Sequence, residues 1–264
     1  MSKIKLMLAG FTATVITLLI YFPIAVVVVF SFNEGIYFLL PLKGFTTKWY
    51  EEVLSNMEFF ESIVNSMIVA AMTTSGALLV GVPAAFSFVR LRRNTPFVGF
   101  VLLPFLVPWL VIGVISLVFF RTLGLQLSLL TVSLSHIIYS IPLVILIVAA
   151  RVLSLNPNYE KASMDLGADR MRTFINVTLP LTYPAIAVAA LITFIWSFDN
   201  FIITFFTIGT EQTFPIWLWG SLRHPTQVPV ITAASSLIII IGSVVVYLLE
   251  SYRIRKGIGI TLLE

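Results

Sequence analysis

The 264-residue sequence has no cysteine, two histidines and few charges, with Asp, Glu, Lys and Arg making up 11% of it. Without cysteine there is no disulfide, no thiolate nucleophile and no Cys-based metal site. His136 has no second His or Cys in range, so no metal site is expected. Gly257 and Gly259 lie in a basic tail that lacks the Gly-Lys-Ser/Thr ending of a P-loop, so any ATP must be bound by another chain. No H-E-x-x-H occurs, and Ser135 and His136 are sequence neighbours rather than one helix face. A hydrolase would need a nucleophile paired with a base, so the chain is not expected to be an enzyme.

What is abundant is apolar. Hydrophobic residues make up 59%, and the mean hydropathy is +1.03. Soluble domains carry about 25% charged residues, so the chain belongs in a lipid bilayer. A membrane-crossing helix needs about 20 apolar residues. Six such stretches are expected, over residues 6–32, 62–89, 97–120, 129–150, 185–208 and 231–250. The first is longer than a cleaved signal segment and does not end at small residues. In the second, Ala77, Gly81 and Ala85 recur every four residues, which lets a neighbouring helix approach closely. Pro104 and Pro108 are expected to kink the third. No repeat of 20–50 residues and no linker divides the chain, so residues 1–264 are expected to form a single transmembrane domain.

Charge gives the orientation. Lys3, Lys5, Arg90, Arg92, Arg93, Arg151, Lys161, Arg170, Arg172, Arg253, Arg255 and Lys256 fall on one side of six spans. Lys43, Lys48, Arg121 and Arg223 fall on the other, twelve against four of the sixteen cations. Positive charge collects on the cytoplasmic side, so both termini are expected there. The net charge of +4 follows this sidedness and is no sign of nucleic-acid binding. On the outer side, Thr47 is expected to cap a short helix from Lys48, and Trp217 and Trp219 suit an interfacial aromatic belt.

Between the fourth and fifth apolar runs lies a polar stretch from Asn156 to Ala168, continuing to Leu179-Pro180. It is too charged for lipid. Asn156 is suited to capping a helix, Pro157 to its first position and Gly167 to a left-handed stop. The spacing of Gly167 from Leu179-Pro180, with Glu160 and Ala162 before it, resembles the E-A-A, three residues, G, nine residues, I-x-L-P signature of ABC-importer permeases. Lys161, Ser163 and Val177 depart from it. The resemblance implies an all-α integral membrane protein with six transmembrane helices, the type I importer permease fold. It also implies a cytoplasmic coupling helix within residues 151–181. Glu160, Lys161, Ala162, Ser163, Asp165, Gly167 and Ala168 would there meet an ATPase.

A second constellation lies in the membrane. Trp196, Asp199, Asn200 and Ile203 would share one face of the fifth helix, giving a ring, a carboxylate and an amide suited to a cation. Asp199 as structural glue between helices is the competing reading. His136 and Tyr139, three apart on the fourth, could face the same cavity, although a lone His is more often packed and hydrogen-bonded. Ser197-Phe198-Asp199-Asn200-Phe201-Ile202-Ile203 and Trp49-Tyr50 are similar to the spermidine/putrescine permeases, the second permease subunit in particular. That subgroup also resembles permeases for iron, thiamine, opines and aminoethylphosphonate. The resemblance implies a heterodimer with a second permease in a bacterial inner membrane, a cytoplasmic ATPase dimer holding ATP and Mg, and an external solute-binding protein. No cofactor is expected in this chain. A secondary transporter or channel using Asp199 and His136 as an ion relay is the alternative class.

Overall fold

The computed structural model describes residues 3–37, 39–91 and 103–255. The described residues are helical apart from turns and one isolated antiparallel bridge, Asn33 to Phe45. In chain order the helices are α1 (Lys3–Ser31), α2 (Lys48–Ser55), α3 (Met57–Leu91), α4 (Trp109–Thr122) and α5 (Leu129–Ser154). They continue as α6 (Asn158–Asp165), α7 (Arg170–Thr173), α8 (Leu179–Phe198), α9 (Ile202–Thr207), α10 (Phe214–Ser221) and α11 (Val228–Arg255).

Five segments are long and apolar enough to cross a membrane: Met7–Ser31, Met57–Arg90, Leu129–Ser154, Arg170–Phe198 and Pro225–Leu248. The third expected span, residues 97–120, corresponds in its described part to the shorter Trp109–Thr122 helix, α4; residues 97–102, and Arg92 and Arg93 before them, lie outside the described residues. Pro104 and Pro108 do more than kink this segment. Pro108 sits at φ −56° and ψ 140°, and α4 starts anew at Trp109. Proline lacks the N–H that a continuing helix needs and forces Val107 before it towards extended backbone.

The chain forms two compact units. One holds Met1–Met57 with Leu218–Glu264, where α11 packs on α1 and α2. The segment between α1 and α2 is folded around Asn33. The Asn33 Oδ1 accepts from Lys43 N–H at 3.1 Å, and its carbonyl accepts from Trp49 Nε1 at 2.8 Å. Thr47 makes no side-chain cap on α2; the Thr46 hydroxyl accepts from Lys48 N–H instead, at 3.2 Å.

The other unit, Glu58–Trp217, carries both expected sites. Its core joins α3, α5 and α8 through Ala77, Ala85, Val144, Val148 and Ala189. The small-residue face of α3 does what its spacing implies. A Cβ on Gly81 would stand 2.8 Å from Val144 and 3.4 Å from the Ile141 carbonyl, so only glycine lets α3 and α5 approach this closely. At the end of the unit away from α6, Asn65 Nδ2 donates to the Gln212 carbonyl at 2.9 Å, and Ser66 Oγ accepts from Phe214 N–H at 2.8 Å. The Glu211 carboxylate accepts from Leu129 N–H at 3.0 Å, satisfying a free donor at the start of α5. Trp217 is buried inside the protein. It is 4% exposed and packs edge-on against Phe59, whereas Trp219 is 46% exposed. Trp217 is held on the buried side by the ring cluster around Phe59 and Phe214.

Gly81→Val places three carbons into this contact. It is expected to destabilise the protein by about 1–3 kcal/mol, read as a lower apparent Tm of the purified protein in detergent. An unchanged Tm would show that the α3–α5 contact tolerates separation.

Candidate functional site

The loop between α5 and α8 is built in detail by its sequence. Asn156 Oδ1 accepts from Asn158 N–H at 3.0 Å, the capping bond expected at this end. Pro157 is helical at φ −59°, where its missing N–H costs nothing. At the other end Gly167 has φ 88°. Its N–H donates to the Met164 carbonyl at 2.9 Å, and Ala168 N–H donates to that of Ser163 at 3.2 Å. Those two bonds form a Schellman stop. Nothing lies within 4 Å of a Cβ built on Gly167, so the constraint there is backbone conformation and not space. Asp169 then restarts the helix, its carboxylate accepting from Arg172 N–H at 2.7 Å.

Two side-chain bonds fasten α6 to the start of the next membrane helix. Thr178 Oγ1 donates to Glu160 Oε1 at 2.6 Å, and the Ser163 and Thr173 hydroxyls lie 3.0 Å apart. Arg151 Nε also donates to the Leu181 carbonyl at 3.0 Å, tying the end of α5 to α8. Glu160 and Ser163 therefore face inward, and both are half-buried. Lys161, Ala162, Asp165 and Gly167 are exposed, and Ala168 is half-buried. The exposed side also carries Tyr159, Met164 and Leu166, the last 90% exposed. Their apolar character in a charged loop was the available signal for a contact surface, and the motif pattern did not draw attention to it.

Between α7 and α8 the backbone widens into a π-helical turn, Phe174–Thr178, where Leu179 N–H donates to the Phe174 carbonyl five residues back. Pro180 explains it. It has no N–H to give to the Asn176 carbonyl, and its ring would crowd that carbonyl. Widening the turn relieves the crowding. The membrane helix thus begins at Arg170 and ends at Phe198, whereas residues 185–208 were expected. Pro184 lies inside the helix, so the polar start of the segment hid fifteen helical residues.

The membrane constellation is rearranged. Trp196, Asp199, Asn200 and Ile203 do not share a helix face, because α8 stops at Phe198. Asp199 closes the last turn through its N–H to the Ile195 carbonyl at 3.1 Å. Asn200 turns inward, where its Oδ1 accepts from Ile203 N–H at 2.9 Å and starts α9. A side-chain amide that caps a new helix competes with continuation of the old one. Asp199 is exposed and Asn200 is 6% exposed.

His136 is 2% exposed and spans this break. Its Nδ1 lies 2.9 Å from Ser197 Oγ, before the break, and its Nε2 lies 3.2 Å from Thr204 Oγ1, after it. Ser197 donates on to Thr73 at 3.1 Å. One buried polar chain thus joins α3, α5, α8 and α9. Tyr139, one helical turn on from His136, belongs to a cluster of rings. It stacks on Phe105 at 5.7 Å, meets Trp109 edge-on at 5.6 Å and lies 5.9 Å from Trp196. Among the described residues no group of His, Cys, Asp and Glu side chains is arranged to hold a metal.

Residues 77–255 match the family described as binding-protein-dependent transport system inner membrane component. The chain belongs to this family. It is a permease subunit of an ABC importer, which sets aside the ion-relay alternative. It is 30% identical to the putrescine transport system permease protein PotI of Escherichia coli strain K12, over 96% of this chain and 93% of that one. To the spermidine/putrescine permease PotC of the same strain it is 29% identical, over 92% of each. A solved bacterial ABC transporter involved in import of the acidic polysaccharide alginate shares the fold, with TM-score 0.69, 20% identity and 96% and 98% of the two chains covered. A second structure, of a bacterial alginate ABC transporter in complex with a pentasaccharide-bound periplasmic protein, also gives a TM-score of 0.69, at 15% identity.

His136→Ala leaves the Ser197 and Thr204 hydroxyls facing a buried void. Losing a buried partner costs about 1–3 kcal/mol, so a clear fall in apparent Tm is expected. An unchanged Tm would remove His136 from the bonds that hold the break.

Proposed function

We propose that this chain is one of two non-identical permeases of a polyamine importer, with α6 as the coupling helix for a cytoplasmic ATPase dimer. What carries the reading is the fastening of α6 to the start of the fifth membrane helix through Glu160–Thr178 and Ser163–Thr173. A helix held in this way transmits displacement instead of bending. Lys161, Ala162, Asp165 and Gly167, with the projecting Leu166, would meet the ATPase. ATP and Mg would reside there and not in this chain. Both termini and α6 would be cytoplasmic, as the distribution of cations argues. The solute-binding protein would dock on the opposite face, and α1, exposed along its apolar length, would lean on the second permease.

The solute class rests on the polyamine permeases among the relatives and on chemistry. Asp199 is an exposed carboxylate one turn from Trp196, and beside Trp196 lie Tyr139, Phe105 and Trp109. A carboxylate near electron-rich rings suits a flexible polycation. ATP-driven closure of the ATPase pair would draw the two coupling helices together, close the inner gate and open the outer one. Hydrolysis would reset the cycle.

The test is uptake by the reconstituted importer, with co-purification of its ATPase. Gly167→Val forces a β-branched residue to positive φ, at a cost of roughly 1–2 kcal/mol. It is expected to weaken ATPase retention and abolish uptake while leaving membrane insertion intact. Asp199→Asn is expected to reduce polyamine uptake at least tenfold with the ATPase still bound. Full uptake in Gly167→Val would refute the coupling role, and full uptake in Asp199→Asn would return Asp199 to a structural role.

A further inference from the structure

Next to α6 an open groove runs between the end of α3 and the α7–α8 segment. Val82, Pro83, Phe86, Phe174 and Leu179 line it, with Arg90, Arg170 and Met171. Pro83, Phe86 and Arg90 are three and four residues apart, so they lie along one face of α3. The groove is apolar towards the membrane-crossing part of α3 and basic where that helix ends. Arg90 and Arg170 also line an adjoining polar chamber with Glu160, Met164 and Thr173. Two guanidiniums from separate helices therefore converge on one space.

Both arginines are exposed, and neither has a carboxylate partner among the described residues, where the one ion pair is Arg172 with Asp169. Arg90 is held by stacking over the Phe174 ring, 5.9 Å from its centroid, and Phe174 in turn meets Phe86 edge-on at 4.9 Å. The one carboxylate in the chamber, Glu160, is engaged by Thr178. Two cations against one engaged anion leave a surplus of positive charge where α3 ends.

We propose that this groove is a binding site for an anionic phospholipid, its phosphate between Arg90 and Arg170 and an acyl chain along Val82, Pro83 and Phe86. The occupant follows from the pairing of features. Guanidinium groups match phosphate oxygens in planar, two-point fashion, and basic pockets between membrane helices suit lipid headgroups. An acyl chain accounts for the apolar wall, which a free phosphate does not. Because Glu160, Met164 and Thr173 belong to the chamber, an occupied site would brace α6 against α3. The proposal concerns a ligand site and does not depend on which solute the importer carries.

Native mass spectrometry of the whole purified importer tests it, by titration with phosphatidylglycerol or with phosphatidylcholine of the same chains. The wild type is expected to bind phosphatidylglycerol at least tenfold more tightly, and Arg90→Gln with Arg170→Gln to lose that preference. Val82→Trp fills the groove and keeps both arginines; it is expected to lower phosphatidylglycerol binding and serves also if the double variant assembles poorly. The proposal is overturned by equal affinity for the two lipids or by unchanged binding in both variants. It is also overturned if inorganic phosphate alone displaces the lipid fully at equal concentration, or if the double variant sheds the ATPase with lipid binding intact, which would make the groove a protein contact.

Discussion

Two hydroxyl contacts join a water-facing helix to a lipid-facing one: Thr178 with Glu160 at 2.6 Å and Thr173 with Ser163 at 3.0 Å. Each is modest alone, since a hydrogen bond to a charged group contributes about 1.5–3 kcal/mol and a neutral one less. Their placement gives them weight. They lie one helical turn apart on α6 and at the two ends of the π turn, so α6 cannot swing about a single point. The Asn156 cap and the Gly167 stop fix its ends, and Arg151 ties the preceding helix to Leu181. In the proposed cycle, a force applied at Leu166 would thereby be delivered to α8.

The membrane end of α8 needs the opposite property. There the helix stops at Phe198 and restarts at Ile202, and backbone at membrane depth can leave the helix only where protein or a water-filled cavity satisfies it. Asn200 supplies one such bond and His136 bridges the two halves. The core around Gly81, Val144 and Ala189 is packed too closely to absorb motion by deforming. A rigid start, a packed middle and an interrupted end suit a helix that moves as a lever and presents Asp199 near its tip.

The sequence was most legible where local chemistry decides conformation. Asn156 and Gly167 announce the ends of α6, Ala77, Gly81 and Ala85 announce a packing face, and long apolar runs announce the membrane helices. It was least legible where an interaction depends on distant partners. His136 in sequence is a lone titratable residue; in space it meets hydroxyls 61 and 68 positions away. The largely apolar run through residues 185–208 concealed the break at Asp199, because Asn200 acts as a cap only once Ile203 turns towards it. Glu160 and Ser163 read as surface positions by polarity, yet their partners at Thr178 and Thr173 turn them inward.

The most direct measurement is a double-mutant cycle on Glu160→Ala and Thr178→Val, read as solute imported per ATP hydrolysed by the reconstituted importer. If the bond carries the stroke, each single variant lowers that ratio and the double variant is no worse than either alone, the non-additivity expected of residues in contact. Additive losses, or an undiminished ratio in the single variants, would contradict the account.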